Sequence, residues 1–137
     1  DVALLSSAME KLQVAGSSME IAEIEAVQKT SLGAEDSVPW SYHKDGVQLV
    51  RGLKAEGWIV YALEETQDAT DVSKLGTTVN MSQQNVLIVG NEVTGIDPGL
   101  LELCEEIFFI PMSGEKKSFN VAIAYGIAAY AIHALQR

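Results

Sequence analysis

A chain of 137 residues is long enough for one domain with its own core and too short for two comfortable ones. With 47% hydrophobic and 20% charged residues and no low-complexity tract, its composition excludes a disordered or fibrous protein. Nineteen acidic against nine basic residues give a net charge of −10, which argues against this chain alone as a strong binder of polyanions.

The apolar spacing of Val2, Leu5, Ala8, Met9 and Leu12 predicts a first helix over about Val2 to Leu12, with Asp1 as its N-cap and Gly16-Ser17-Ser18 after it. Ile21 to Val27 has helical spacing with acidic residues between and reads as a second, short helix. Lys29 to Trp40 mixes Gly33, Asp36, Ser37 and Pro39 with few apolar residues, predicting a loop that enters a strand near Val38 to Trp40. Asp45 caps a helix from Gly46 to Ala55 that Gly57 ends, and Trp58 to Leu63 is a strand. The polar stretch Glu64 to Met81 holds an Asp71-led helical turn around Val72 to Leu75. Strands follow at Val86 to Val89 and Ile107 to Ile110, separated by a helix of about six residues that starts at Asp97-Pro98, where proline's missing N–H costs nothing. Ser118-Phe119-Asn120 opens a long apolar helix reaching Leu135. Alternating helices and strands imply an α/β fold with parallel pairing and right-handed crossovers.

The two late strands stop abruptly, one at Gly90-Asn91-Glu92 and the other at Pro111, as buried parallel strands do. Ligands collect at such strand ends in open α/β sheets. Taken alone, Gly90-x-Glu92-x-x-Gly95 is an ordinary strand-ending turn. Its spacing to Ile110-Pro111-Met112, to Gly114 and to Ser118-Phe119-Asn120-Val121 is more specific. This order resembles the SpoU family of RNA methyltransferases, within the SPOUT superfamily, whose motifs include a G-x-E-x-x-G turn and an I-P-M followed by S-L-N-V. Lys29 to Trp40, KTSLGAEDSVPW, is similar to the family's middle segment, so the resemblance covers most of the chain.

The resemblance implies a parallel sheet flanked by helices with a C-terminal deep trefoil knot, S-adenosylmethionine bound in the knotted crevice, and a homodimer. It also implies methyl transfer to a ribose 2′-hydroxyl of tRNA or rRNA, with Glu92, Ser118 and Asn120 at the matching catalytic positions. Backbone groups of Gly90, Ile110 and Phe119 would hold the adenosine, Leu87, Ile88 and Ile110 would wall it, and Asn91, Gly95, Pro111 and Met112 would complete the cofactor set. Such a displacement needs alignment and a proton acceptor and no metal.

One family motif departs. An N-terminal N-x-G-x-x-x-R-T-A pattern, whose arginine activates the hydroxyl, falls on Asp1 to Met9, where Asp1, Ala3 and Ser7 replace its asparagine, glycine and arginine. Serine cannot supply a fixed cation with forked donors. On this alignment the family's first strand lies before Asp1 and its second after Gly16, so the chain is either a divergent member or part of a longer one. Three functions stay open: an active methyltransferase, a cofactor-binding accessory subunit without activity, and a generic nucleotide-binding domain.

The other chemistry-bearing residues read as structural. His43 and His133 have no second ligand at metal spacing, and Cys104 sits in an apolar helical pattern with Leu100, Leu101 and Leu103. Trp40, Trp58, Phe108 and Phe109 fall in or beside strands, which favours core packing over base stacking. Lys116 and Lys117 precede the last helix and either steer an anionic substrate or lie in a solvated loop. A lone cysteine, an N-terminus without a basic region and no apolar run of roughly 20 residues suggest a cytoplasmic protein that does not span a membrane.

Overall fold

The computed structural model describes residues 2–6, 12–17, 40–80, 82–91, 93–115 and 120–134. Its elements are β1 (Val2–Ser6), β2 (Leu12–Ser17), β3 (Trp40–His43), α1 (Gly46–Ala55), β4 (Ile59–Leu63) and β5 (Thr70–Asp71). After these come a 3₁₀ turn (Val72–Lys74), α2 (Leu75–Thr78), β6 (Asn85–Val89), α3 (Pro98–Leu101), β7 (Glu106–Phe109) and α4 (Val121–Ala134). Among the described residues, seven strands form one sheet in the order β3-β1-β2-β6-β4-β7-β5. The strands β2, β6, β4 and β7 run parallel, the two-residue β5 extends that set, and β1 is antiparallel to both β2 and β3.

Strand β6 explains why its sequence is apolar without alternation. Leu87 and Val89 face one side of the sheet, where they join Tyr61, Leu63, Phe108, Val72, Leu75, Ala128 and Ile132. Val86 and Ile88 face the other, with Val60, Ala62, Val50, Ile96 and Leu100. A parallel strand covered on both faces has no polar side to show. α2 and α4 cover the first face and α1 and α3 the second, the arrangement expected when β4 to β6 and β6 to β7 cross over in opposite directions across the sheet. Phe108 is fully buried and its ring lies 6.0 Å from that of Tyr61, at 51°.

The local signals place several elements as expected. Asp45 accepts the Gln48 N–H at 3.0 Å and starts α1, and Gly57, at φ +94°, turns the chain out of it. Asp71 caps the 3₁₀ turn through the Ser73 N–H, and Asp97 caps α3 through the Gly99 N–H with Pro98 at the first helical position. Boundaries differ slightly: Trp58 and Ile110 lie just outside β4 and β7, and α3 has four residues.

The first helix is the clear correction. Where a helix was expected, Val2–Ser6 is β1 and Leu12–Ser17 is β2. Periodicity alone cannot tell a helical turn from a buried strand in runs as short as VALL, and here long-range pairing decides. β2 lies beside β6 with Val14 opposite Leu87 and Gly16 opposite Val89. The helical reading of the N-terminal motif fails for Val2–Ser6 as well. β5 was not expected either. The short helix at Ile21 to Val27, the loop from Lys29 to Pro39 and Ser7 lie outside the described residues.

At the N-terminal ends of the strands, charge is closed off. Lys54 pairs with Glu105 at 2.8 Å and donates to the Leu103 carbonyl, while Glu105 accepts the Val60 N–H at 2.7 Å. The Thr70 hydroxyl donates to Glu106 at 2.7 Å. Cys104 packs here with its thiol donating to the Leu100 carbonyl. Burial, then the Glu105 charge, push that thiol up to about 12, which makes it a core residue and no nucleophile.

Candidate active site

The opposite ends of β4, β6 and β7 frame a cavity of about 530 Å³, within the range of small-molecule sites. Leu63, Val89, Phe108, Phe109, Ile110 and Met112 give it apolar walls, and Val121 and Ala124 of α4 close one side. Its rim is the turn after β6, which brings Gly90, Asn91, Val93, Thr94, Gly95 and Ile96 to the cavity.

That turn is built from its own polar groups. The Asn91 side-chain oxygen accepts from the Val93 N–H at 2.9 Å, the Thr94 N–H at 2.6 Å and the Thr94 hydroxyl at 3.0 Å. Gly95 donates back to the Asn91 carbonyl at 3.1 Å and takes φ +68°, a conformation that disfavours any side chain. A Cβ on Gly90 would stand 2.6 Å from the Gly95 carbonyl carbon and 2.8 Å from the Ile96 nitrogen. Gly90 is therefore required by the closure of the turn on itself, in addition to any approach of a ligand.

A residue that sequence reasoning missed completes the rim. Glu64, immediately after β4, accepts the Ile96 N–H at 2.9 Å through Oε2 and the Glu65 N–H at 3.1 Å through Oε1. A Cβ on Gly95 would meet Glu64 Oε2 at 2.5 Å, so the second motif glycine makes room for this carboxylate. Thr66, two residues on, also lines the cavity, and its hydroxyl is buried with no hydrogen-bond partner among the described residues. The signal was available: ligands gather at the carboxyl ends of all adjacent parallel strands, and Leu63-Glu64-Glu65-Thr66 ends the strand between the two that carry motifs.

Of the expected site residues, the structure brings Gly90, Asn91, Gly95, Ile110 and Met112 together around this cavity. Leu87 and Ile88 do not line it: each is 1% exposed and sits in a core, one on either face of the sheet. Pro111 is exposed beyond β7 and does not line it either. Asn120 stands at the start of α4, where its side-chain oxygen accepts the Ala122 N–H at 2.9 Å, adjacent to the cavity-lining Val121. Glu92, Ser118 and Phe119 lie outside the described residues, as do Lys116 and Lys117. Among the described residues no group of three His, Cys, Asp or Glu side chains is placed to hold a metal. Trp58 is half-buried against the second core, Phe108 is fully buried and Phe109 half-buried.

A second, wider hollow of about 1140 Å³ lies across the same turn, sharing Asn91, Thr94, Gly95 and Ile96 and lined beyond them by His43, Lys44 and the start of α1. It is larger, but the strand-end glycines, the buried hydroxyl and the helix start converge on the smaller one, which we take as the site.

A model of the SpoU rRNA methylase family matches residues 6–130. The tRNA (guanosine(18)-2′-O)-methyltransferase of Aquifex aeolicus is 40% identical over 84 residues, covering 61% of this chain and 38% of that protein. The 23S rRNA (guanosine-2′-O-)-methyltransferase RlmB of Xanthomonas axonopodis pv. citri is 31% identical over 104 residues, covering 76% of this chain and 40% of its own. The crystal structure of an AdoMet-bound rRNA methyltransferase from Sinorhizobium meliloti superposes with a TM-score of 0.70 at 25% identity, over 90% of this chain and 44% of that one. The chain thus spans well under half the length of the relatives it matches. With the match running through nearly the whole sequence and the fold agreeing, the chain belongs to the SpoU rRNA methylase family.

Proposed function

We propose that this chain is a single domain, residues 1–137, that binds S-adenosylmethionine in the cavity at the ends of β4, β6 and β7 and transfers its methyl group to a ribose 2′-hydroxyl of tRNA or rRNA. The observation that carries the reading is the convergence of the Gly90–Ile96 turn, the Ile110–Met112 strand end and the start of α4 on one cavity. The residues fit such a group: the volume suits it, the walls are apolar, and the buried Thr66 hydroxyl has no partner among the described residues, which a polar ligand could provide. Bound there, S-adenosylmethionine supplies an electrophilic methyl group on a sulfonium. The backbone of Gly90 and Ile110 would hold the adenosine, and the cavity-lining Leu63, Val89, Phe109 and Met112 would exclude water from it. By their correspondence to the family's motifs, Glu92, Ser118 and Asn120 would orient the acceptor ribose, with the Glu92 carboxylate the base among them for its proton.

Two further features belong to this reading. α4 is apolar on every side, and Ile123 and Tyr130 remain 55% and 74% exposed; a helix of that kind calls for a second surface, which supports a homodimer formed on α4. β7 lies between β4 and the earlier β5, and α4 then packs back on α2, an order of threading consistent with the family's C-terminal trefoil knot.

The test is incubation of the purified chain with bulk tRNA and rRNA and methyl-labelled S-adenosylmethionine, followed by alkaline hydrolysis. Label in alkali-stable dinucleotides, the signature of 2′-O-methylation, is the expected result. A net charge of −10 favours the second reading, a cofactor-binding accessory subunit, which predicts cofactor binding with no transfer. Absence of cofactor binding contradicts both.

A further inference from the structure

The polar side chain that structures this cavity is a carboxylate with no cation against it among the described residues. Glu64 is half-buried, lines the cavity, and uses two of its roughly four acceptor positions on the Ile96 and Glu65 N–H groups. Glu65 lines the same cavity from its exposed edge. Among the described lining residues there is no lysine, arginine or histidine, and among the described residues no cation lies within salt-bridge distance of Glu64. The walls around it, Leu63, Val89 and Phe108, are apolar and weaken the screening that water would provide.

We propose that Glu64 sets the charge preference of the cavity, favouring the sulfonium of S-adenosylmethionine over the neutral thioether of S-adenosylhomocysteine, and disfavouring polyphosphate nucleotides. The inference rests on the assignment of the cavity to the adenosyl cofactor and goes beyond it, since shape and hydrogen bonding treat the two sulfur compounds almost alike. They differ by one methyl group and one positive charge. In a half-buried site a single carboxylate facing that charge would give a preference on the order of tenfold. After transfer the charge is gone, so the same carboxylate that favours the reactant ceases to hold the product. Glu64 is in this sense a specificity-determining residue, and through Ile96 it also positions the rim of the site.

The experiment is calorimetric titration of the wild-type chain, Glu64→Gln and Glu64→Ala with S-adenosylmethionine and S-adenosylhomocysteine separately, with melting temperatures measured alongside. Glutamine keeps a side-chain oxygen for the Ile96 N–H and removes the charge, giving up only the bond from the Glu65 N–H at the exposed side. Wild type is expected to favour S-adenosylmethionine about tenfold, and E64Q to bring the ratio near one, mostly by weakening S-adenosylmethionine, with little change in melting temperature. E64A is expected to weaken both ligands, because the rim loses its tie. An equal change for the two ligands in E64Q, or no change, overturns the proposal while leaving the cavity assignment intact. Binding of neither ligand to wild type overturns that assignment and this proposal with it. An analogue with a protonated amine in place of the sulfonium provides a readout independent of any variant: wild type should bind it like S-adenosylmethionine, and binding like S-adenosylhomocysteine overturns the proposal.

Discussion

Two carboxylates at opposite ends of the same sheet do similar backbone work with different consequences. Glu105, at the N-terminal ends of the strands, accepts the Val60 N–H and is neutralised by Lys54 at 2.8 Å. Glu64, at the C-terminal ends, accepts the Ile96 N–H, has no described cation beside it and faces a cavity. The first ties strand to loop with its charge closed; the second ties a turn to a strand and leaves its charge for a ligand. A carboxylate's hydrogen bonds alone do not separate a structural role from a functional one. What separates them here is whether a cation or an open cavity lies on the other side.

The largest effect is expected from breaking the functional end outright. Gly90→Val places carbon where the backbone of Gly95 and Ile96 already stands, so the turn cannot close, and a loss of about 3 kcal/mol together with loss of cofactor binding is expected. Urea unfolding and cofactor titration check the two halves; unchanged affinity would show that the site lies elsewhere. Next, Glu105→Ala strands the N–H of the fully buried Val60 and frees Lys54, for about 2 kcal/mol in urea unfolding with cofactor affinity unchanged. Glu105→Gln keeps an acceptor and removes only a pair that is a third exposed on each side, for less than about 1 kcal/mol. If Glu105→Ala weakened cofactor binding as strongly as Glu64→Ala, the contrast between the two ends would fail.

Asn120→Ala sharpens the same contrast on the helix start. As a cap alone it is worth about 1 kcal/mol, with cofactor affinity and transfer following stability. Loss of transfer well beyond that would assign the amide to the acceptor ribose. The smallest effects concern titration. The Cys104 thiol is held neutral from its unfolded value near 9.0 up to about 12, so the folded chain should resist iodoacetamide at pH 8 and lose stability only as pH rises above about 9, where the unfolded chain alone ionises. Asp71 has its carboxyl held below the usual 3.8, first by the Ser73 N–H; its contribution is present above that value and lost as pH falls through the lower folded one. Asp71→Asn should therefore flatten acid unfolding only below about pH 4.

Much of the fold was legible because its signals are local. Asp45, Gly57, Asp71 and Asp97 each act on a residue two or three positions away or on their own dihedral, and the elements they bound were predicted close to their observed limits. β1 and β2 were illegible because four or five apolar residues carry no period, and only pairing with β3 and β6 makes them strands. The candidate site divides the same way. Gly90, Asn91 and Gly95 announced themselves as a turn, and Ile110 and Met112 as a strand end. Leu87 and Ile88 looked like walls until the covering of both faces of the sheet placed each in a core. Glu64 carried no signal as the first residue of a polar stretch, since its partner Ile96 is 32 positions away and reaches it only through the curl of the Gly90 turn.

The most direct test of the central claim, that the cavity beside Glu64 and Gly90 is a cofactor site selective for a cationic adenosyl ligand, is titration of the wild-type chain with S-adenosylmethionine and, in parallel, ATP. The account predicts saturable binding of S-adenosylmethionine and none of ATP. Binding of ATP, or of neither, would contradict it.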